Sequence, residues 1–116
     1  MVLSNLLRNK FLRNEIYLGL ANKIGDVFYE PGTKDYKRVK LIGSLFKYDN
    51  NIDVYLNNYI IFFDESLSNW GKISNLIAFN ENGEFVGSGK LEKFVNIYSR
   101  TSLRFPLEHF KVWFNN

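Results

Sequence analysis

The stretch from Ile73 to Leu91 constrains the fold more than any other part of the chain. Ile73-Ser74-Asn75-Leu76-Ile77-Ala78-Phe79 has the apolar content of a strand, Asn80-Glu81-Asn82-Gly83 interrupts it, and Glu84-Phe85-Val86-Gly87-Ser88-Gly89-Lys90-Leu91 resumes it. Asn82-Gly83 favours the positive φ values of a type I′ turn, so the segment predicts a β-hairpin. The aromatic content points the same way, because 11 Phe, 7 Tyr and 2 Trp suit the half-buried pleated surface of a sheet. With 46% hydrophobic residues, 116 residues suffice for one domain with its own core.

The remaining segments extend that reading. Leu3, Leu6, Leu7 and Phe11 stand at helical spacing, which predicts one short amphipathic helix over residues 2–13. Glu15 to Ala21 reads as a first strand with Ile16, Leu18 and Leu20 on one face. Asn22 to Lys37, with Gly25-Asp26 and Pro31-Gly32, reads as a long connection. Arg38–Ile42 and Leu45–Tyr48 are then expected as two short strands or one interrupted strand, and further short strands near Ser102–Phe105 and Phe110–Phe114. Tyr59-Ile60-Ile61-Phe62-Phe63 is apolar on both faces and is expected to be a doubly buried strand at the centre of the core. Together these features predict an all-β, antiparallel β-sandwich, jelly-roll-like, as a single domain over 1–116.

Chemistry is sparse. Without Cys the chain has no disulfide, thiolate metal site or cysteine nucleophile. The single His109 has no second imidazole and no GxSxG or HExxH context. Asp49, Asp53, Asp64 and Glu65 lack EF-hand spacing and sit where carboxylates cap turns. Gly83, Gly87 and Gly89 do not form GxGxxG. No catalytic, cofactor-binding or metal-binding residue is therefore assigned, and no enzyme or cofactor is expected. Trp70-Gly71 reads as a bend whose indole closes the core, with an exposed sugar-stacking platform as the other reading. Lys34, Tyr36, Lys37, Arg38 and Lys40 form the best candidate for ligand or partner contact, against the reading that they are a solvated loop and a lysine-guarded edge strand.

The net charge of +3 is a mild excess and by itself does not indicate a nucleic-acid partner. No apolar run approaches the about 18 residues of a membrane helix, and the start lacks signal-peptide character, so a soluble product of the cytoplasm is expected.

The order of these segments resembles a family of small tail-fibre or minor tail proteins of tailed bacteriophages. The resemblance rests on a leucine-rich start, Ile16-Tyr17-Leu18-Gly19-Leu20, Tyr36-Lys37-Arg38-Val39, and Ile60-Ile61-Phe62-Phe63 followed by Trp70-Gly71-Lys72-Ile73. It continues through Leu76-Ile77-Ala78-Phe79-Asn80 with Gly83, Gly89-Lys90-Leu91 and Thr101-Ser102-Leu103-Arg104-Phe105-Pro106. Trp70, Gly71, Asn82, Gly83 and Gly89 serve as its structural signature. The family's Gly-Asp before the closing Phe strand is absent, and the Gly-rich loop before the Tyr is reduced to Pro31-Gly32-Thr33. The resemblance implies a β-sandwich virion component without enzymatic activity, made in the bacterial host cytoplasm. Its expected partners are other virion structural proteins and further copies of itself, met through sheet edges and terminal segments. A capsid or collar decoration protein is the nearest alternative. A module binding a host-surface glycan through Trp70, Tyr29 and Tyr36 comes next, and a single-strand nucleic-acid binder using Lys34, Tyr36, Lys37, Arg38 and Lys40 after that.

Overall fold

In the computed structural model, which describes residues 1–115, the strands in chain order are β1 (Val2–Ser4), β2 (Ile16–Ile24), β3 (Val27–Tyr29), β4 (Val39–Leu41), β5 (Phe46–Asp49) and β6 (Val54–Asn57), then β7 (Ile61–Phe62), β8 (Gly71–Phe79), β9 (Phe85–Ile97), β10 (Arg104–Phe105) and β11 (Lys111–Asn115). One α-helix, α1, spans Arg8–Leu12. The all-β class with a short N-terminal helix is as expected from the sequence.

The large sheet runs β3-β2-β8-β9-β1-β11-β6-β5, and β4 also pairs with β2 along Ile16–Leu18. Among the described residues every pairing is antiparallel except β1 with β11, which is parallel, so the mainly antiparallel sheet expected from the sequence is mixed through this one pair. The reason is topological: β1 slots between β9 and β11, which run in opposite directions, so it can be antiparallel to only one of them. β4 and β5, at the two margins of the sheet, are joined by little more than the single 3-10 turn Gly43–Leu45. The sheet therefore folds over on itself, and Leu18, Leu20, Leu76, Ala78, Phe46 and Val112 meet in one core.

The hairpin at Asn82-Gly83 forms, as β8 and β9, but not with the expected turn. Gly83 has φ +79° whereas Asn82 is not in the left-handed region, and the Gly83 N–H donates to the Asn80 carbonyl at 3.0 Å. This is the longer hairpin loop that ends in a left-handed glycine. Asn80 organises it, because its side-chain oxygen accepts from the Asn82 and Glu84 N–H groups at 3.0 and 2.9 Å.

The helix over residues 2–13 is corrected. Val2–Ser4 is a strand, Asn5–Leu7 is a 3-10 turn capped by the Ser4 side chain, and only Arg8–Leu12 is α-helical. Leu3 is buried from the strand and Phe11 from the helix, while Leu6 is 90% exposed. Phe11 plugs the core edge-on to Phe46, Tyr55 and Phe114, at centroid distances of 4.9, 5.6 and 5.5 Å. The Tyr59–Phe63 segment is likewise corrected: only Ile61–Phe62 is strand, paired with β10 in a separate two-stranded sheet. Ile61 and Phe63 are buried and Ile60 and Phe62 half exposed, so one face of this peripheral ribbon meets solvent. Finally, the long connection after Ala21 contains a second hairpin: β2 continues to Ile24, turns at Gly25 (φ +61°) and returns as β3. β6, which pairs with β5 and β11, is a strand that the sequence reading did not anticipate.

Candidate functional site

The connection between β3 and β4 carries the residues the sequence singled out, and it lies across the outside of β2 and β8. Its key contact starts at Gly19 in β2, where a Cβ would lie 2.8 Å from the Tyr36 hydroxyl and 2.9 Å from Glu30 Oε2. The missing side chain admits a chain of hydrogen bonds: the Leu20 N–H donates to the Tyr36 oxygen (2.8 Å), and the Tyr36 hydroxyl donates to Glu30 Oε2 (2.6 Å). Arg38 closes the chain with two bonds to the same carboxylate, at 3.1 and 2.7 Å. Its guanidinium also lies over the Phe79 ring, 3.3 Å from the centroid. Burial pushes the Glu30 carboxyl up, but the bonds from Arg38 and Tyr36 outweigh it and hold it below the ordinary glutamate range. Burial, then the bond to Glu30, pushes the Tyr36 phenol up.

Trp70 packs edge-on against Tyr36, with centroids 5.4 Å apart, and is only 8% exposed. Its indole N–H donates to Asp35 Oδ2 at 3.0 Å, and the same carboxylate accepts from the Leu67 N–H at 2.7 Å and the Ser68 hydroxyl at 2.5 Å. The Ser68 bond first, then those of Leu67 and Trp70, hold the Asp35 carboxyl well below the usual carboxylate range against the opposing effect of burial. Trp70 thus closes the core and offers no exposed face to a sugar ring, which corrects the stacking-platform reading. Tyr36 is tied into the same structure.

The basic cluster is divided by these contacts. Lys37, Arg38 and Lys40 line a groove of about 360 Å³ together with Phe62, Asp64 and Trp70, while Lys34 is exposed and lies outside it. Arg38 is already paired with Glu30, so among the described residues the cations without an ion-pair partner in the groove are Lys37 and Lys40. The other singled-out residues are architectural. Gly71 opens β8 with φ +82°, Gly83 ends the hairpin loop beside Asn82, and Gly89 lies against Met1. Asp49 accepts from the Asn51 N–H and Asp53 from the Tyr48 hydroxyl, both as turn contacts. His109 is exposed.

Two buried polar residues missed in the sequence tie loops together elsewhere in the fold. Asn57 is fully buried: its amide donates to the carbonyls of Tyr59, Phe105 and Pro106 at 2.8, 3.3 and 2.8 Å, and its oxygen accepts from the Phe110 N–H at 2.8 Å. Ser66, also fully buried, donates to the Tyr98 carbonyl at 2.6 Å and accepts from the Thr101 N–H at 3.1 Å. The signal for Asn57 is a polar residue closing an otherwise apolar strand; Ser66 carries none, being one of several serines in a polar turn. Comparison of the chain with protein-family models, with curated proteins and with solved structures finds no match.

Proposed function

We propose that this chain is a non-enzymatic structural component of a bacteriophage virion, associated with the tail or a fibre, that acts as an assembly and attachment module. Two things support the reading: the order of sequence segments that resembles small phage tail proteins, and the way the sheet ends. The carrying observation is that β3 and β5 are terminal strands of the large sheet and display exposed Val27, Tyr29 and Tyr48. Strand margins with exposed apolar side chains are where a neighbouring chain can extend a sheet. The terminal segments do not serve as docking arms in this reading, because β1 and β11 are paired within the sheet. The partners proposed are other virion proteins and further copies of this chain, with the virion as its location.

The test is co-expression with the products of neighbouring genes, followed by size-exclusion chromatography and electron microscopy of any complex. Incorporation at a defined symmetric position is expected, and Val27→Lys with Tyr29→Lys should abolish it in a chain that stays folded. A stable monomer that enters no complex would overturn the proposal.

A further inference from the structure

A different surface carries a site of its own. β8 and β9 fall out of register between Ile73, opposite Val95, and Asn75, opposite Lys90. Leu91 to Phe94 thus stand opposite Ser74 alone, with Leu91 packed against the core and Glu92, Lys93 and Phe94 exposed. Two adjoining hollows of about 570 and 480 Å³ flank this bulge and share Ser74 and Lys90. Lys23, Lys72, Lys90 and Lys93 line them against the single acid Glu92, and none of these lysines has an ion-pair partner among the described residues.

The floor holds an unmet donor. Asn75 is only 7% exposed and lines the hollow; its oxygen accepts from the Ser74 hydroxyl at 2.8 Å, and its amide nitrogen donates to no group among the described residues. That nitrogen is open to the hollow, where it can donate to a bound acceptor. Phe94, 56% exposed, stands at the rim with the Lys72 ammonium 4.5 Å from its centroid.

We propose that this groove binds an anionic polysaccharide, whose carboxylate or phosphate groups sit among the lysines while its hydroxyls meet Asn75, Ser74 and Ser88. The lining decides between polyanions. A nucleic-acid strand binds by successive stacking on rings, and the groove has one ring, part of which faces Lys72. An extended acidic protein segment that joined the outer edge of β9, which pairs with β1 only at Gly87 and Ser88, would use main-chain bonds and would not engage the Ser74 and Asn75 side chains. Hydroxyl and amide groups beside one apolar ring, ringed by unpaired cations, match a charged sugar chain. The inference deepens the attachment part of the function proposed above and rests on it.

The test is titration of the purified full chain with polygalacturonate at low and high salt, alongside neutral dextran and a thymidine oligonucleotide. Polygalacturonate is expected to bind, with affinity falling as salt rises. Lys90→Glu with Lys93→Glu should weaken it roughly tenfold, as four exposed charge terms of ordinary surface size would. Asn75→Asp should weaken it too, and Lys37→Glu with Lys40→Glu on the other groove should leave it unchanged. No binding, equal binding of dextran, tighter binding of the oligonucleotide, or indifference to the Lys90 and Lys93 reversals in a chain with unchanged circular dichroism would each overturn the proposal. Virion incorporation is measured separately, so failure here leaves the assembly reading standing and failure there leaves the titration interpretable.

Discussion

Replacing Asn57 by Leu tests how β6 is tied to the connection between β10 and β11. The two side chains are similar in size, so the substitution opens little cavity and the loss is chiefly of hydrogen bonds. Four side-chain bonds vanish, from Asn57 to Tyr59, Phe105, Pro106 and Phe110. The Phe110 N–H loses its partner at a residue that is itself buried, which costs about 1–3 kcal/mol, and the two carbonyls bonded at 2.8 Å add about 1 kcal/mol each. The expected total of roughly 3–5 kcal/mol is a large part of the 5–15 kcal/mol typical of a domain. In guanidinium unfolding followed by tryptophan fluorescence, the midpoint should fall by on the order of 1 M with an unchanged slope. Thermal unfolding should shift down by about 10–20 °C. A loss below about 1 kcal/mol at unchanged slope would refute the reasoning, since Asn57 would then not be the tie between β6 and the β10–β11 connection.

Three further outcomes are expected. Gly19→Ala forces a methyl against the Tyr36 hydroxyl and Glu30 and should destabilise the fold by about 1–3 kcal/mol, measured by urea unfolding. Tyr36→Phe removes the oxygen that accepts from the Leu20 N–H in a fully buried residue, and a loss of about 1–3 kcal/mol with slowed exchange at Leu20 abolished in amide hydrogen exchange is expected. The folded carboxyls of Asp35 and Glu30 lie below their ordinary values, so their contribution is complete above the unfolded values near pH 4 and is lost as pH falls through the folded ones. Asp35→Asn should accordingly flatten the drop in stability below about pH 4, and an acid limb identical to that of the parent chain would count against the assigned bonds.

What could be read in the residues was mostly local. Alternation in Ile16-Tyr17-Leu18-Gly19-Leu20 and the Asn-Gly signal marked β2 and the β8–β9 hairpin, because period-two patterning and turn chemistry act within a few residues. The start of the chain misled for the same reason: Leu3, Leu6, Leu7 and Phe11 fit a helical stripe, yet pairing of Val2–Ser4 with two distant strands overrides three residues of spacing. The Tyr59–Phe63 run misled because an apolar sequence does not reveal how many strands flank it, and here only β10 does. The basic cluster was recognised as a group but not as a divided one. Glu30, which captures Arg38 and Tyr36, is close in sequence, but Gly19, whose missing side chain admits them, belongs to β2, and only the fold brings it near. The bulge of β9 was equally invisible, since its register shift arises from pairing and leaves no mark on a continuous strand-forming run.

The seat of β1 between β9 and β11 sets an order of events during folding. This strand needs, on both flanks, ladders supplied by residues made more than eighty positions later. Until those emerge, Leu3 has no pocket and β9 has an unsatisfied flank, so a nascent or truncated chain exposes sticky strand surface. Closure of the sheet is consequently a late, long-range step, slow by the standards of domains of this size and the stage at which aggregation competes with folding.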